Sequence, residues 1–157
     1  VKDGIETARA QKLPEELIEI IGQHHGTTLI QYFYETAKRL KGDEEVPMEQ
    51  FRYPGPLPQS KEAAIVMLAD SVESASRSLS SLNPSAIEAL VKKVINDKFV
   101  EGQFNECNLT LKDIETMAKV FIKMIITMNH SRIKYPEQDR ELKKMMEKIE
   151  QDHPDEV

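Results

Sequence analysis

The sequence predicts an all-α fold, a bundle of about six to seven helices. Apolar residues recur at intervals of three and four along most of the chain, which is the spacing of a helix face packed on a core. No segment alternates apolar and polar residues over the length of a half-buried strand, so we expect no strand of weight. With 157 residues the chain is long enough for one domain with its own core.

The N-terminal part of the chain predicts three helices. A short first helix covers residues 2–12, and a second runs from Pro14 to His25, beginning with a proline and two acids. The third is capped by Thr27 or Thr28, runs to about Lys41 and is ended by a glycine. Its apolar positions are Leu29, Ile30, Phe33, Ala37 and Leu40.

A proline-rich loop and the strongest helix of the chain follow. Residues 43–60 contain four prolines, which exclude a regular helix, but two aromatic residues and Arg52 indicate an ordered loop that packs down. Ser60 then caps a helix that runs from Lys61 to about Leu82. The core stripe predicted for it is Ile65, Leu68, Val72, Ala75 and Leu79.

The remainder of the chain predicts two core helices and a charged tail. An Asn-Pro pair, which is a turn signal, precedes a helix predicted over residues 85–99. Thr110, with Asp113 as an acidic capping box, begins a central apolar helix that ends near residue 129. Pro136 marks a break, so we divide the chain into a domain over residues 1–136 and a charged helical tail over residues 137–157.

Composition restricts the function. The net charge of −6 disfavours binding to DNA or RNA, since phosphate backbones need a basic surface. The single Cys107 allows no internal disulfide and fits a reducing, cytoplasmic setting. No apolar run approaches the roughly 20 residues that cross a bilayer. The first residue is Val1 rather than Met, so we expect the chain to be part of a longer one.

The histidine pair His24–His25 is the first candidate for chemistry. It ends an apolar helical run, and both imidazoles extend stripes that contain Leu17, Ile18 and Ile21. Neutral imidazole is a good metal ligand, and an interior position excludes competing water. The alternative is a helix cap or a satisfied, half-buried ring.

Asp70 is the second candidate, and its pattern leaves two interpretations open. It lies off the core stripe, on one face with Glu73 and Arg77, which is typical of a solvated face with an i,i+4 ion pair. Together with His24 and His25 it would instead give the imidazole and carboxylate mixture used for iron, manganese or zinc in hydrolytic sites.

Several segments resemble the HD-domain phosphohydrolases. They are Ile20-Ile21-Gly22-Gln23-His24-His25-Gly26-Thr27 with Tyr32-Phe33-Tyr34, and Met67-Leu68-Ala69-Asp70-Ser71-Val72-Glu73-Ser74-Ala75-Ser76-Arg77. The loop Arg52-Tyr53-Pro54-Gly55-Pro56 with Lys61-Glu62 resembles one branch, the membrane-anchored seven-transmembrane HD family, whose known members hydrolyse cyclic di-AMP. The segment from His130 to Pro136 is similar to the end of that domain.

The resemblance implies an HD-domain-like bundle with a two-metal site, iron or manganese. By analogy His24 and His25 would hold one metal ion and Asp70 the other. The family also uses an early His, a His-Asp doublet whose Asp bridges both metals, and one further His. No His-Asp doublet occurs in this sequence. We therefore expect residues 1–136 to be the C-terminal part of an HD domain, with no catalytic residue of its own and inactive alone.

Five further residues are candidates for substrate binding. The cationic side chains of Lys61, Arg77 and Arg132 could hold phosphates, and Tyr32 and Tyr34 could stack on adenine. The alternatives are ordinary surface charges for the cations and core packing for at least one tyrosine.

The implied function is metal-dependent hydrolysis of a cyclic dinucleotide, cyclic di-AMP, to a linear dinucleotide. One alternative is an HD hydrolase of another nucleotide, such as cyclic di-GMP or a guanosine tetraphosphate alarmone. Another is a non-catalytic helical module that binds a nucleotide or a partner. The family also implies a cytoplasmic domain of an integral membrane protein, attached through segments that are not present here, and the charged tail could pair two copies into a homodimer.

Overall fold

The computed structural model describes residues 1–42, 45–79 and 83–130. All of its regular elements are helical, with one isolated bridge between Leu29 and Arg52, so the all-α prediction is confirmed. The helices are α1 Lys2–Ala10, α2 Glu15–Gln23, α3 Gln31–Lys41, α4 Lys61–Ser76, α5 Pro84–Val100 and α6 Leu111–His130, with a 3-10 turn at Met48–Phe51. The predicted tail helix lies outside the described residues.

The hydrophobic core lies between α4, α5 and α6, which pack on one another, while α2 joins α1 to α4. Each fully buried aliphatic side chain there stabilises the fold by about 1.5–3 kcal/mol. The predicted core residues Leu68 and Val72 are buried. The core is formed by Ala64, Met67, Leu68, Val72, Ile87, Val91, Ile95, Phe104, Met117, Phe121 and Ile125.

One residue of α4 and one of α2 that were predicted to face the core are exposed instead. Ile65 is 41% exposed, because α4 turns Ala64, Met67 and Leu68 inward. Leu17 of α2 is 47% exposed, while its neighbour Ile18 is buried. A shift of one residue turns a helical side chain by about 100°, which is enough to move it out of a core stripe.

Helix α3 begins later than predicted and does not supply core residues. It starts at Gln31, has no side-chain cap and buries none of its residues, with Phe33 57% and Leu40 83% exposed. The preceding segment pairs with the proline-rich loop instead. The Ile30 N–H donates to the Phe51 carbonyl at 2.7 Å, and the Tyr53 N–H donates to the Thr28 carbonyl at 3.0 Å.

Where the sequence offers a polar capping residue at positions 60, 83 and 110, the helix starts within one residue of the prediction. The Ser60 hydroxyl accepts from the Ala63 N–H at 3.1 Å, and the Asn83 side chain caps α5. Thr110 and Asp113 form the reciprocal capping box before α6. Helix α4 ends at Ser76, earlier than predicted, and residues 77 and 78 turn away.

Candidate metal centre

The two histidines lie in a tight turn at the end of α2. The helix ends at Gln23, His24 is its C-cap residue, and Gly26 takes a φ of +51°. That conformation suits glycine, because an L side chain there is strained. The sequence thus places both imidazoles at a helix end that turns back toward α4.

The structure brings His25 and Asp70 together. His25 Nδ1 lies 3.8 Å from Asp70 Oδ2, with the two side chains 27% and 50% exposed. Asp70 comes from the middle of α4, whereas His25 follows α2. Asp70 is therefore half exposed but directed at an imidazole, so it does not belong to a purely solvated face. Its role as a metal ligand stays a prediction.

His24 lies against His25, with ring centroids 3.8 Å apart. Its Nδ1 is 2.9 Å from the Ile21 carbonyl oxygen. Because a carbonyl oxygen only accepts hydrogen bonds, Nδ1 carries a proton, and in the neutral ring the lone pair is therefore on Nε2. This is the tautomer in which a histidine could bind a metal through Nε2 while the protein fixes its ring.

The surroundings favour the neutral form of His25. Burial lowers the pKa of His25, the neighbouring His24 lowers it further, and Asp70 opposes both. Lys98 lowers the pKa as well. Neutral imidazole is the form that binds metal ions.

The proline-rich loop packs on the histidine turn, as its aromatic residues indicated. The Tyr53 ring stacks on His25, with centroids 4.3 Å apart and an interplanar angle of 25°. The Arg52 guanidinium donates to the Thr27 carbonyl oxygen at 3.1 Å, and Pro58 is fully buried. The loop therefore covers one side of His25.

Lys61 and Arg77 are engaged in ion pairs at opposite ends of α4. Lys61 Nζ lies 2.7 Å from Asp113 Oδ2, and the Arg77 guanidinium lies 2.9 Å from Glu73. At 1.5 Å of rise per residue they are separated by about 24 Å along the helix. Their joint contact with one phosphate is not supported, and substrate binding by either residue stays a prediction.

The two tyrosines occupy different environments. Tyr32 is 72% exposed and meets Phe33 edge-on at 5.5 Å between centroids. Tyr34 is half-buried and packs edge-on against Phe51 of the loop at 5.8 Å. Arg132 lies outside the described residues, so its predicted role is untested.

Sequence reasoning missed two polar residues beside the histidine turn. Lys98 donates from Nζ to the Thr28 hydroxyl at 2.9 Å, and Gln103 is hydrogen-bonded to Thr27. A signal existed for Lys98, which continues the buried α5 stripe three residues after Ile95. Gln103 falls in a polar connection where no periodicity marks it.

The donor groups fit a metal ion in kind but not in number. Imidazole nitrogen and carboxylate oxygen suit iron, manganese or zinc. In the described part of the chain, however, no group of three or more His, Cys, Asp or Glu side chains is arranged to hold a metal ion. In that same part, no helix combines the length and the apolar character needed to cross a membrane.

Comparison with known proteins identifies close relatives, although no family model matches. The chain is 51% identical over 141 residues to the cyclic-di-AMP phosphodiesterase PgpH of Bacillus subtilis, covering 90% of this chain and 20% of that protein. It is 40% identical over 136 residues to the PgpH of Listeria monocytogenes, covering 87% of this chain and 19% of that protein. The chain thus spans about a fifth of the length of these relatives.

Solved structures of the HD domain of a PgpH relative have a similar fold. The HD domain of Listeria monocytogenes PgpH, crystallised in complex with cyclic di-AMP, superposes with a TM-score of 0.75 at 39% identity. The match covers 81% of this chain and 58% of that one. A second structure of the same HD domain gives a TM-score of 0.74 at 39% identity. Sequence and fold together show that this chain belongs to the PgpH-like HD-domain family.

Proposed function

We propose that this chain forms part of the catalytic domain of a metal-dependent phosphodiesterase that hydrolyses cyclic di-AMP to a linear dinucleotide. The observation that supports it most is the approach of His25 to Asp70, at 3.8 Å, from two separate segments. The same two segments carry the resemblance to HD-domain enzymes. The relative with 51% identity is named for this activity.

In this proposal His24, His25 and Asp70 are ligands of a two-metal centre, with iron or manganese as the metals. Bound metal ions would polarise the phosphodiester and generate hydroxide at neutral pH. This chain's residues prepare the site: the Ile21 carbonyl fixes the His24 ring, and Tyr53 covers His25. The lowered pKa of His25 keeps its imidazole neutral for ligation.

The remaining ligands, including a bridging carboxylate, would come from parts of a longer parent protein. The limited number of donors in the described residues supports this, as does the fact that the chain spans about a fifth of the length of its PgpH relatives. By the same argument the chain alone would not hydrolyse cyclic di-AMP. We further propose that residues 1–136 form a domain and that residues 137–157 form a tail. The parent would be attached to the membrane, with this domain in the cytoplasm, and two copies would form a homodimer.

Cationic and aromatic side chains would contact the substrate. Lys61, Arg77 and Arg132 would serve as phosphate contacts, and Tyr32 and Tyr34 would stack on adenine. Exposure of Tyr32 supports its availability to a ligand, whereas the ion pairs of Lys61 and Arg77 would have to open or be shared.

The test uses the full-length parent with His24→Ala and Asp70→Ala variants, assayed against cyclic di-AMP, cyclic di-GMP and guanosine tetraphosphate. We expect hydrolysis of cyclic di-AMP to be lost in both variants, because each removes a metal ligand. Lys92→Ala, on the exposed face of α5, is the matched control and should retain activity. Activity that survives His24→Ala would show that the site is wrong, and preference for another nucleotide would show that the substrate is wrong.

A further inference from the structure

Three polar side chains are buried in the described part of the chain, and all three bond to segments around the histidine pair. They are Gln23, Lys98 and Gln103, which are 6%, 8% and 0% exposed. Burial of polar groups is costly unless their hydrogen bonds are made. Gln23 Oε1 accepts from the Gln59 N–H at 2.9 Å, at the end of the loop that covers the site. The other two reach the histidine turn itself.

Gln103 holds Thr27 by two hydrogen bonds. The Thr27 N–H donates to Gln103 Oε1 at 3.0 Å, and Gln103 Nε2 donates to the Thr27 hydroxyl at 3.0 Å. The paired bonds fix both the backbone and the side chain two residues after His25. The same Oε1 lies against Gly26, where any Cβ would collide with it.

Lys98 holds the next residue along the chain. Its Nζ donates to the Thr28 hydroxyl at 2.9 Å from a position that is almost fully buried. Burial lowers the pKa of Lys98, while Glu101, Asp70 and Asp97 raise it. An apolar residue at this point of the α5 stripe would fill the core without placing an ammonium group near Asp70. Packing alone therefore does not account for a lysine here.

We infer that Lys98 and Gln103 are positioning residues that fix the His24–His25 turn through Thr28 and Thr27. Lys98 lies in the last turn of α5 and Gln103 just after the helix, so neighbouring positions of the chain anchor two consecutive residues beyond the histidines. With α2 holding the other side of the turn, the imidazoles are fixed from both ends. This inference rests on the proposed function only where it takes His24 and His25 to be metal ligands.

A merely structural role would give a different result from a positioning role. Loss of a buried hydrogen bond would lower the stability of the whole fold but leave the histidine geometry of the folded chain unchanged. Loss of positioning would alter the rings themselves while the chain remains folded. The decisive readout is therefore the imidazole resonances of His24 and His25, not stability.

The first experiment is NMR of this chain, comparing the imidazole ¹⁵N and ring ¹H signals of the wild type with those of variants. Lys98→Met and Thr28→Val should each shift the His25 signals and weaken the ring contact to Tyr53, and Thr28→Ser should restore them because the hydroxyl is retained. Lys93→Met is the control, since Lys93 is exposed on the same helix and pairs with Asp97. Unchanged histidine signals in folded Lys98→Met, or equal changes in Lys93→Met, would overturn the inference.

Gln103 is tested in the same way through Thr27. Thr27→Val removes the hydroxyl that accepts from Gln103 and keeps the shape, whereas Thr27→Ser keeps the hydroxyl. We expect the first to change the His24 and His25 signals and the second to leave them near those of the wild type. This pair keeps the test valid should Lys98→Met fail to fold.

The second experiment measures metal content and kinetics of the full-length parent carrying Thr28→Val or Thr28→Ser. Residues that orient metal ligands change metal affinity or activity by about 10- to 100-fold when altered. We expect such a fall in metal affinity and kcat for Thr28→Val, little change in KM, and recovery in Thr28→Ser. A wild-type parent without phosphodiesterase activity would refute the proposed function but leave the NMR result standing. An active parent that is indifferent to Thr28→Val would refute the positioning role alone.

Discussion

Two glycines four residues apart, Gly22 and Gly26, meet opposite physical requirements. A Cβ at Gly22 would lie 3.6 Å from Ile5 Cδ1, an ordinary van der Waals distance, within helix α2. A Cβ at Gly26 would collide with Gln103 Oε1 and lie 2.7 Å from Met67 Cε, at a φ of +51°. Only the second glycine is therefore required by the fold.

We predict that alanine at these two positions changes stability in opposite directions. Gly22→Ala should stabilise the chain by about 0.5–1 kcal/mol, because alanine loses less backbone entropy in a helix. Gly26→Ala should cost about 1–2 kcal/mol from the left-handed backbone alone, with a further loss from the collision. Chemical denaturation of both variants measures the difference. Equal effects at the two positions would contradict this account of the turn.

At the residue scale the sequence predicted what local pattern can reveal. His24 and His25 stood out by type and by position at a helix end, whereas Gln103 lies in a stretch with no period. Lys98 was on the buried stripe, but a lysine is normally assigned to the surface because its charge is costly to bury. Its hydrogen bond to Thr28 is a contact across 70 residues, which periodicity does not encode.

At the scale of elements, helix starts were predicted best when their cap was a local side chain. Ser60 caps α4, and Thr110 caps α6 together with Asp113. The start of α3 was wrong because Thr27 and Thr28 use their hydroxyls for Gln103 and Lys98 instead of capping the helix. Tertiary contacts replaced the local preference there.

We predict that Ser60→Ala lowers the free energy of unfolding by about 1 kcal/mol, since it removes the hydroxyl that accepts from the Ala63 N–H. Thr116→Ala is the matched control. Its hydroxyl donates to the Lys112 carbonyl within α6, where it satisfies no free N–H group, so no comparable loss is expected. Urea denaturation of the two variants compares them. A loss in Thr116→Ala as large as in Ser60→Ala would speak against a capping role.

Asp113 connects the start of α6 to the start of α4. The hydrogen bond from Lys61 lowers the pKa of Asp113 most, and the bonds from the Thr110 backbone and side chain lower it further. A carboxyl whose pKa is lower in the folded than in the unfolded chain stabilises the fold above its ordinary pKa, here 3.8. That contribution is lost as the pH falls through the lowered value.

We therefore predict that Asp113→Asn reduces stability at neutral pH and makes the chain less sensitive to acid. Denaturation curves between about pH 7 and about pH 2 should show a shallower fall in stability below about pH 4 than in the wild type. Glu62→Gln, an exposed acid in the first turn of α4, controls for the change in net charge. A parallel pH profile for Asp113→Asn and the wild type would refute the coupling.

At the scale of the whole molecule, the candidate site depends on how α4 lies against the turn after α2. The sequence pattern put Asp70 on a solvated face, and the Glu73–Arg77 ion pair of that interpretation is present. The packing of α2 on α4 nevertheless brings Asp70 to within 3.8 Å of His25. The ligand types suggested grouping Asp70 with His24 and His25, and the family resemblance favoured that interpretation over the solvated face. Helical periodicity could not decide, since it gives the face of a residue but not the element that it meets.

The metal content of the isolated chain depends on the number of its donor groups. Two imidazoles and one carboxylate are too few donors for two metal ions without a bridging carboxylate, and the described residues contain no cluster of three ligands. We therefore expect the purified chain to bind fewer than two equivalents of manganese or iron, and weakly, and not to cleave cyclic di-AMP. Calorimetry and elemental analysis measure the first, and chromatography of the nucleotide products measures the second.

The full-length parent is the positive control, and His25→Ala in the isolated chain is the negative one. If His25 and Asp70 act together, residual metal binding by the chain should disappear in His25→Ala and in Asp70→Asn but persist in Glu73→Gln, whose carboxylate pairs with Arg77. Two tightly bound equivalents together with hydrolysis by the isolated chain would show that its own residues complete the centre. That result would place the missing donors outside residues 1–42, 45–79 and 83–130, because the described residues do not provide them.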